Sequence, residues 1–201
     1  FICMKRTLYL SMVCLLSAFS AVGQIGLRGL NPIEKQKLQL PELPASQSRV
    51  TLLRSSENVD YTQGVFILNE DWFGHNNSTI NFMTSSGDFA YRIFQTANPG
   101  KELGCTSQFG TIFGDNMFIT SKQPKDGGAS IEGGRLNVVD AKTMKVKAQF
   151  TDIGGGDGRA FLGVNDSVGY IGASNGIFLF DIKNLTVGDQ LKGASNSGGL
   201  Y

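Results

Sequence analysis

The sequence repeats itself. The run GVFILN at 64–69 contains Phe66-Ile67-Leu68-Asn69, which is answered by Phe118-Ile119-Thr120-Ser121 and again by Tyr170-Ile171-Gly172-Ala173. The three aromatic residues stand 52 positions apart each time. A fixed period of that length marks a chain built from one supersecondary unit used repeatedly. Between the repeats the pattern is short apolar runs bounded by turn residues, without helical periodicity. Strands are predicted at 65–68, 79–83 and 89–94, then at 109–113, 117–120, 136–139 and 146–150, then at 160–164, 169–171, 177–180 and 187–191. A further strand is predicted at 49–53, and 96–107 reads as a long polar connection.

The turns repeat with the strands. Asp140-Ala-Lys-Thr-Met-Lys-Val146 aligns with Asp181-Ile-Lys-Asn-Leu-Thr-Val187, and Gly114-Asp115-Asn116 with Asn165-Asp166-Ser167. An Asp heading such a turn accepts hydrogen bonds from the backbone N–H groups just ahead of it. Four short strands per roughly fifty residues is the arithmetic of a propeller blade. The predicted fold class is all-β: a β-propeller fragment of about three four-stranded antiparallel blades with a repeat of about 52 residues. A β-sandwich does not explain two identical spacings. A closed propeller takes about four to eight blades, so residues 63–201 are expected to form an incomplete propeller and the chain to be a fragment or truncated product.

The N-terminus reads as a secretory signal. Lys5 and Arg6 follow Met4, the expected start; 8–19 is apolar, and Ala21-Val22-Gly23 is a small-residue cleavage site before Gln24. The apolar run is too short to span about 30 Å of hydrocarbon, so no transmembrane segment is expected after cleavage of residues 1–23. Residues 24–62 are polar, carry Pro32, Pro41 and Pro44, and read as a linker or N-terminal arm. Loss of the leader takes Cys3 and Cys14 away and leaves Cys105 alone, so no internal disulfide is expected. The expected location is the periplasm or cell surface of a Gram-negative bacterium. The whole sequence carries a formal net charge of +1 without a basic block, which gives nucleic-acid binding no electrostatic footing.

The combination Gly64-Val-Phe-Ile-Leu-Asn-Glu70, the hairpin Gly114-Asp115-Asn116 and Leu136-Asn-Val-Val-Asp-Ala-Lys-Thr-Met144 resembles the YncE-like propellers, in particular their secreted surface-layer type. The resemblance runs from Gly64 to about Lys192. That family usually has Gly after the Glu of its opening motif, where this chain has Asp71. The resemblance implies a binding protein rather than an enzyme. One branch of similar propellers captures cobalamin beside outer-membrane uptake channels.

In a propeller the loops between second and third strands emerge on the same rim as the connections between blades. This groups 70–77, 123–134 and 174–176 with 96–107 and 151–159, the longest and most irregular segments of the chain. Ligands are sought on such loops. The sole Trp and sole His lie together in the first of them, so Trp72, Phe73, His75 and Asn76 are the candidate ligand-binding residues, joined by Arg159 at the mouth of an inner strand. Exposed aromatics suit stacking on a sugar, a flat ring or a protein partner; equally, Trp72 can pack over the blade beneath it, and Arg159 can tie blades together. With one His in the chain, neither a metal site nor a catalytic base is expected. The glycine-rich run 151–159 lacks the helix that a phosphate loop requires and the spacing of a calcium loop, and reads as a connection. Cys105 reads as a buried or half-buried thiol, without a partnering His nearby in sequence.

The expected function is therefore an exported, non-enzymatic binding protein, without catalytic residues, metal or cofactor. Its expected partner is a small molecule, glycan or corrinoid-like, or an outer-membrane protein, in the setting of nutrient capture. The alternatives are a propeller enzyme of lyase or lactonase type, for which 109–113 and 160–164 supply no inward acid, and a purely structural surface protein.

Overall fold

The structure, a computed structural model, describes residues 59–195. The expectations for 1–23, for most of 24–62 and for a strand at 49–53 lie outside the described residues. What is described is all-β apart from one short helix. Eleven strands form three antiparallel sheets, each a simple meander. The first sheet holds β1 (Gly64–Asn69), β2 (Thr79–Thr84) and β3 (Phe89–Ala90), in that order. The second holds β4 (Cys105–Phe113), β5 (Asn116–Gln123), β6 (Leu136–Asp140) and β7 (Val146–Phe150). The third holds β8 (Gly158–Gly163), β9 (Val168–Ala173), β10 (Gly176–Asp181) and β11 (Thr186–Gln190).

The three repeated segments thus fall in three separate sheets, as β1, β5 and β9. Because β5 and β9 are second strands, the first sheet lacks a counterpart of β4 and β8 among the described residues. It has three strands where four were expected. A second departure lies at 89–94, predicted as a strand. Only Phe89–Ala90 pairs; the chain then turns at Arg92 (φ 50°) into helix α1, Ile93–Ala97. Ile93 and Phe94 are fully buried, so tertiary burial of two adjacent apolar side chains, not periodicity, decides the conformation. A third departure is Cys105–Phe113, a strand four residues longer at its start than 109–113 suggested.

Sheet packing follows from alternation along each strand. Phe66 pairs across to Phe82, and Leu68 to Ile80, so these four share one face of the first sheet. On the second sheet Phe118 faces the same way as its partner Val138, while Met117, Ile119 and Val139 face the other. The first core joins Phe66, Leu68, Ile80 and Phe82 to Met117, Ile119 and Val139, with Tyr61 and α1 filling one side. The second core joins Phe118, Leu136 and Val138 to Phe161, Ile171, Phe178 and Phe180 of the third sheet. Each interface therefore mates the forward face of one sheet with the rear face of the next. The forward positions are the repeated aromatics, Phe66 and Phe118.

The turns predicted to match do match. Asp140 Oδ1 accepts the Lys142 and Thr143 N–H groups, both at 3.0 Å, and Asp181 Oδ1 accepts Asn184 N–H at 2.9 Å. Each turn then puts an apolar residue in the left-handed region, Met144 (φ 58°) and Leu185 (φ 51°), where a non-glycine residue costs about 1–3 kcal/mol. Met144 is fully buried and Leu185 packs on the second core, so burial offsets the strain. Close approach requires glycine at the mouth of β8: a Cβ on Gly158 would lie 2.6 Å from the Ser121 carbonyl oxygen.

Candidate functional site

The β1–β2 loop, 70–78, and the β5–β6 loop, 124–135, meet at Asp126. This carboxylate accepts Gly74 N–H on Oδ2 and Gly128 N–H on Oδ1, both at 2.7 Å. Its own backbone N–H donates to Asn77 Oδ1 at 2.8 Å, and Asn77 Nδ2 donates to the Ile131 carbonyl at 2.8 Å. Asp126 and Asn77 are both buried. The Gly128 and Gly74 amides favour the charged carboxylate and lower its pKa, with smaller help from the Cys105 thiol and His75. Cys105 is buried beneath, its Sγ 3.4 Å from Asp126 Oδ2, and burial raises the thiol's pKa. That arrangement makes the thiol a hydrogen-bond donor to the lock rather than a nucleophile.

The lock presents the aromatic loop. The Trp72 carbonyl accepts His75 N–H at 3.0 Å and Asn76 N–H at 3.2 Å, folding 72–76 into a tight turn. The Trp72 and His75 rings lie 4.0 Å apart at 39°. Trp72 is 69% exposed and Phe73 68% exposed. Of the two readings of Trp72, exposed or packed over the sheet below, the structure has the exposed one, with His75 against the indole. Asp71, where the resemblance leads one to expect Gly, has φ 61°. The conformation glycine would supply is kept by an acid, a residue type that visits the left-handed region more readily than most, and Asp71 Oδ2 accepts the Thr79 hydroxyl across the loop at 2.5 Å.

Beside this turn lies a cavity of about 150 Å³ lined by His75, Asn76, Asn77, Arg92, Glu102 and residues 128–131. It gathers three of the segments expected on one rim. Arg92 reaches Glu102 Oε1 at 3.2 Å, and Gln95 Nε2 donates to Glu102 Oε2 at 2.7 Å. Glu102 thus accepts from both, while Arg92 engages only Nη2 and keeps further guanidinium N–H donors, so the cavity offers guanidinium, amide, imidazole, backbone and hydroxyl groups. The remaining expected rim segments also touch. Asn175 Nδ2 donates to the Gly154 carbonyl at 2.7 Å, and Arg135 to the Gly156 carbonyl at 3.1 Å. Gly154 (φ 89°) and Gly155 (φ 81°) shape that second connection, and Asp152 accepts Gly155 N–H at 2.7 Å, as a turn does.

Of the predicted residues, His75 and Asn76 line the cavity and Trp72 stacks on its His75 wall. Phe73 sits on the same turn, outside the lining. Arg159 does not join them: on β8 it pairs with Asp157 at 3.5 Å and lines no part of this cavity. Sequence reading missed Asp126, Asn77, Arg92 and Glu102. Asp126 carried a signal, since an Asp before Gly127-Gly128 is a side chain placed to cap its own turn; Arg92 and Glu102 carried none. Among the described residues no cluster of three His, Cys, Asp or Glu side chains can hold a metal ion, and no helix is long and apolar enough to cross a membrane.

Residues 63–200 match the family model described as a domain of unknown function, DUF5074. That is well over half of the chain. The protein belongs to the DUF5074 family. Its match begins just before β1 and runs through β11, so the three sheets and the loops that carry the cavity all lie inside the DUF5074 domain. No curated protein matches the chain.

Proposed function

We propose that this DUF5074 protein is an exported, non-enzymatic binding protein whose sheets are propeller blades of the YncE-like kind. It holds a ligand or partner at the loop edge, and nutrient capture at an outer membrane is the role that suits it. One observation carries the reading. A buried Asp126–Asn77 lock holds two loops so that the Trp72–His75 stack stands exposed beside a polar cavity. An indole backed only by the His75 ring, with most of its surface in water, is apolar surface available to a partner. A ligand of sugar size, with one flat face and several hydroxyl groups, suits that pairing of ring and polar cavity; a corrinoid would use the ring and overhang the cavity. The leader motif and the forward-to-rear packing of meander sheets support export and the blade reading respectively.

Trp72 is the sole tryptophan, so its fluorescence reports the site alone. Titration of the full chain with neutral oligosaccharides, and separately with a corrinoid, is expected to give a saturable change with one class. Trp72→Ala should abolish binding of that class in a calorimetric titration while moving stability by no more than about 0.5 kcal/mol, as for an exposed surface position. Binding that survives Trp72→Ala would sink the assignment.

A further inference from the structure

The cavity beside the aromatic turn has more hydrogen-bond donors than acceptors to offer. Its charged lining groups are Arg92 and Glu102. Glu102 accepts on both oxygens, from Arg92 and Gln95, and its side chain is 20% exposed against 55% for Arg92. The carboxylate is therefore the inner partner and the guanidinium the outer one. Asp126, behind the turn, has its two oxygens taken by the Gly74 and Gly128 amides. Arg92 is not saturated in this way. It engages one amino group with Glu102 at 3.2 Å, and its other guanidinium N–H groups meet no acceptor among the described residues. Asn76 and Ser130 add an amide and a hydroxyl to the same lining. Arg92 also stands against its backbone preference. Its φ is 50°, a conformation that glycine, Asn or Asp adopts more readily. The backbone N–H of Arg92 donates to Asn81 Oδ1 at 2.8 Å, which fixes the turn without the side chain. A turn secured by its backbone does not require arginine, and strain kept at a cavity wall points to use of the group displayed there.

We infer that the ligand is an acidic saccharide: a hexuronate whose carboxylate binds Arg92 in the cavity while a sugar face rests against the exposed aromatic turn. The inference rests on the sugar reading of this site and adds its charge. A carboxylate only accepts hydrogen bonds, so it answers a lining whose surplus is donors; a hydroxyl group would bring a further donor of its own. The planar fork of arginine binds two carboxylate oxygens at once, which a lysine ammonium does not. Glu102 and Gln95 hold that fork in place from beneath and so act as positioning residues. Size agrees. The cavity, about 150 Å³, has the volume of about five water molecules. That admits an acid group with the ring that bears it and leaves further units of an oligomer outside, where Trp72 stands exposed.

Calorimetric titration of the full chain with an oligogalacturonide, its methyl ester and a sulfated galactose oligomer tests it, with Trp72 fluorescence as a second readout. Esterification keeps the sugar rings and removes the charge. The acid should bind at least about tenfold more tightly than the ester, the worth of one hydrogen bond to a charged group, and added salt should narrow the gap. Arg92→Gly relieves the left-handed turn and removes an exposed ion pair that adds little, so its denaturation midpoint should hold or rise. It should bind acid and ester alike. Arg92→Lys should keep only part of the preference, because it keeps the charge and loses the fork. If Arg92→Gly fails to fold, Arg92→Gln makes the same comparison. Equal affinity for acid and ester, tighter binding of the ester or of the sulfated oligomer, or a preference that survives loss of the guanidinium would each overturn the inference and leave the sugar reading standing. Binding of none of the three, or of a corrinoid alone, would overturn the inference together with the sugar reading beneath it.

Discussion

The two cores solve the same problem differently. Between the second and third sheets the fit is a ring-on-ring contact. Phe118 and Phe161 stack at 3.7 Å and 5°, and Phe180 meets both edge-on, at 5.9 and 5.6 Å. Between the first and second sheets the contact is mixed. Tyr61 stands edge-on to Phe82 at 5.1 Å, and α1 fills the space where β3 stops after two residues. The cavity and the aromatic turn belong to the second, less regular arrangement. The repeat supplies a platform, and the proposed binding edge lies where the repeat is broken.

Breaking the regular core should have the largest consequence. Phe161→Ala removes a fully packed ring and is expected to cost about 3–5 kcal/mol in chemical denaturation, without moving Trp72 fluorescence in the native state. A native-state fluorescence change would mean the two interfaces are not separable.

The irregular side is expected to fail locally. Asp126→Asn keeps the shape but turns an amide toward Gly74 or Gly128, which both donate. The turn should loosen and Trp72 emission should broaden, with a smaller loss of global stability than for Phe161→Ala. The pH response follows from the same bonds. Asp126 titrates below its ordinary value of 3.8 when folded, so its contribution is fully present above about pH 4 and is lost as pH falls through the lower folded value. Trp72 fluorescence of the wild type should therefore change below pH 4, and Asp126→Asn should remove that transition. Persistence of the acid transition in Asp126→Asn would contradict it.

The smallest effect is expected at Asp71. Glycine there would relieve left-handed strain of about 1 kcal/mol and lose a hydrogen bond of about the same worth. Asp71→Gly should thus leave the denaturation midpoint nearly unmoved; a large loss would show that the Thr79 bond dominates.

Much of the platform could be read from the chain. Equal spacing of Phe66, Phe118 and Tyr170 located the strands that became β1, β5 and β9, and the Asp140 and Asp181 turns fold as their alignment implied. The helix could not be read, because Ile93 and Phe94 take their conformation from the core they fill. The site was half legible. A lone Trp beside a lone His marked the exposed turn, but the groups that hold it come from residues 49 to 52 positions away, and no local pattern shows which loop will reach which.

The lock also joins equivalent positions of successive repeats, since Gly74 and Asp126 are separated by 52 residues, one full repeat. The amide protons of Gly74 and Gly128 hang on opposite oxygens of one carboxylate. When that side chain swings out, both become open to solvent in the same event. Their hydrogen-exchange rates should rise and fall together, so two successive repeats breathe as one at this edge while remaining distinct in their cores.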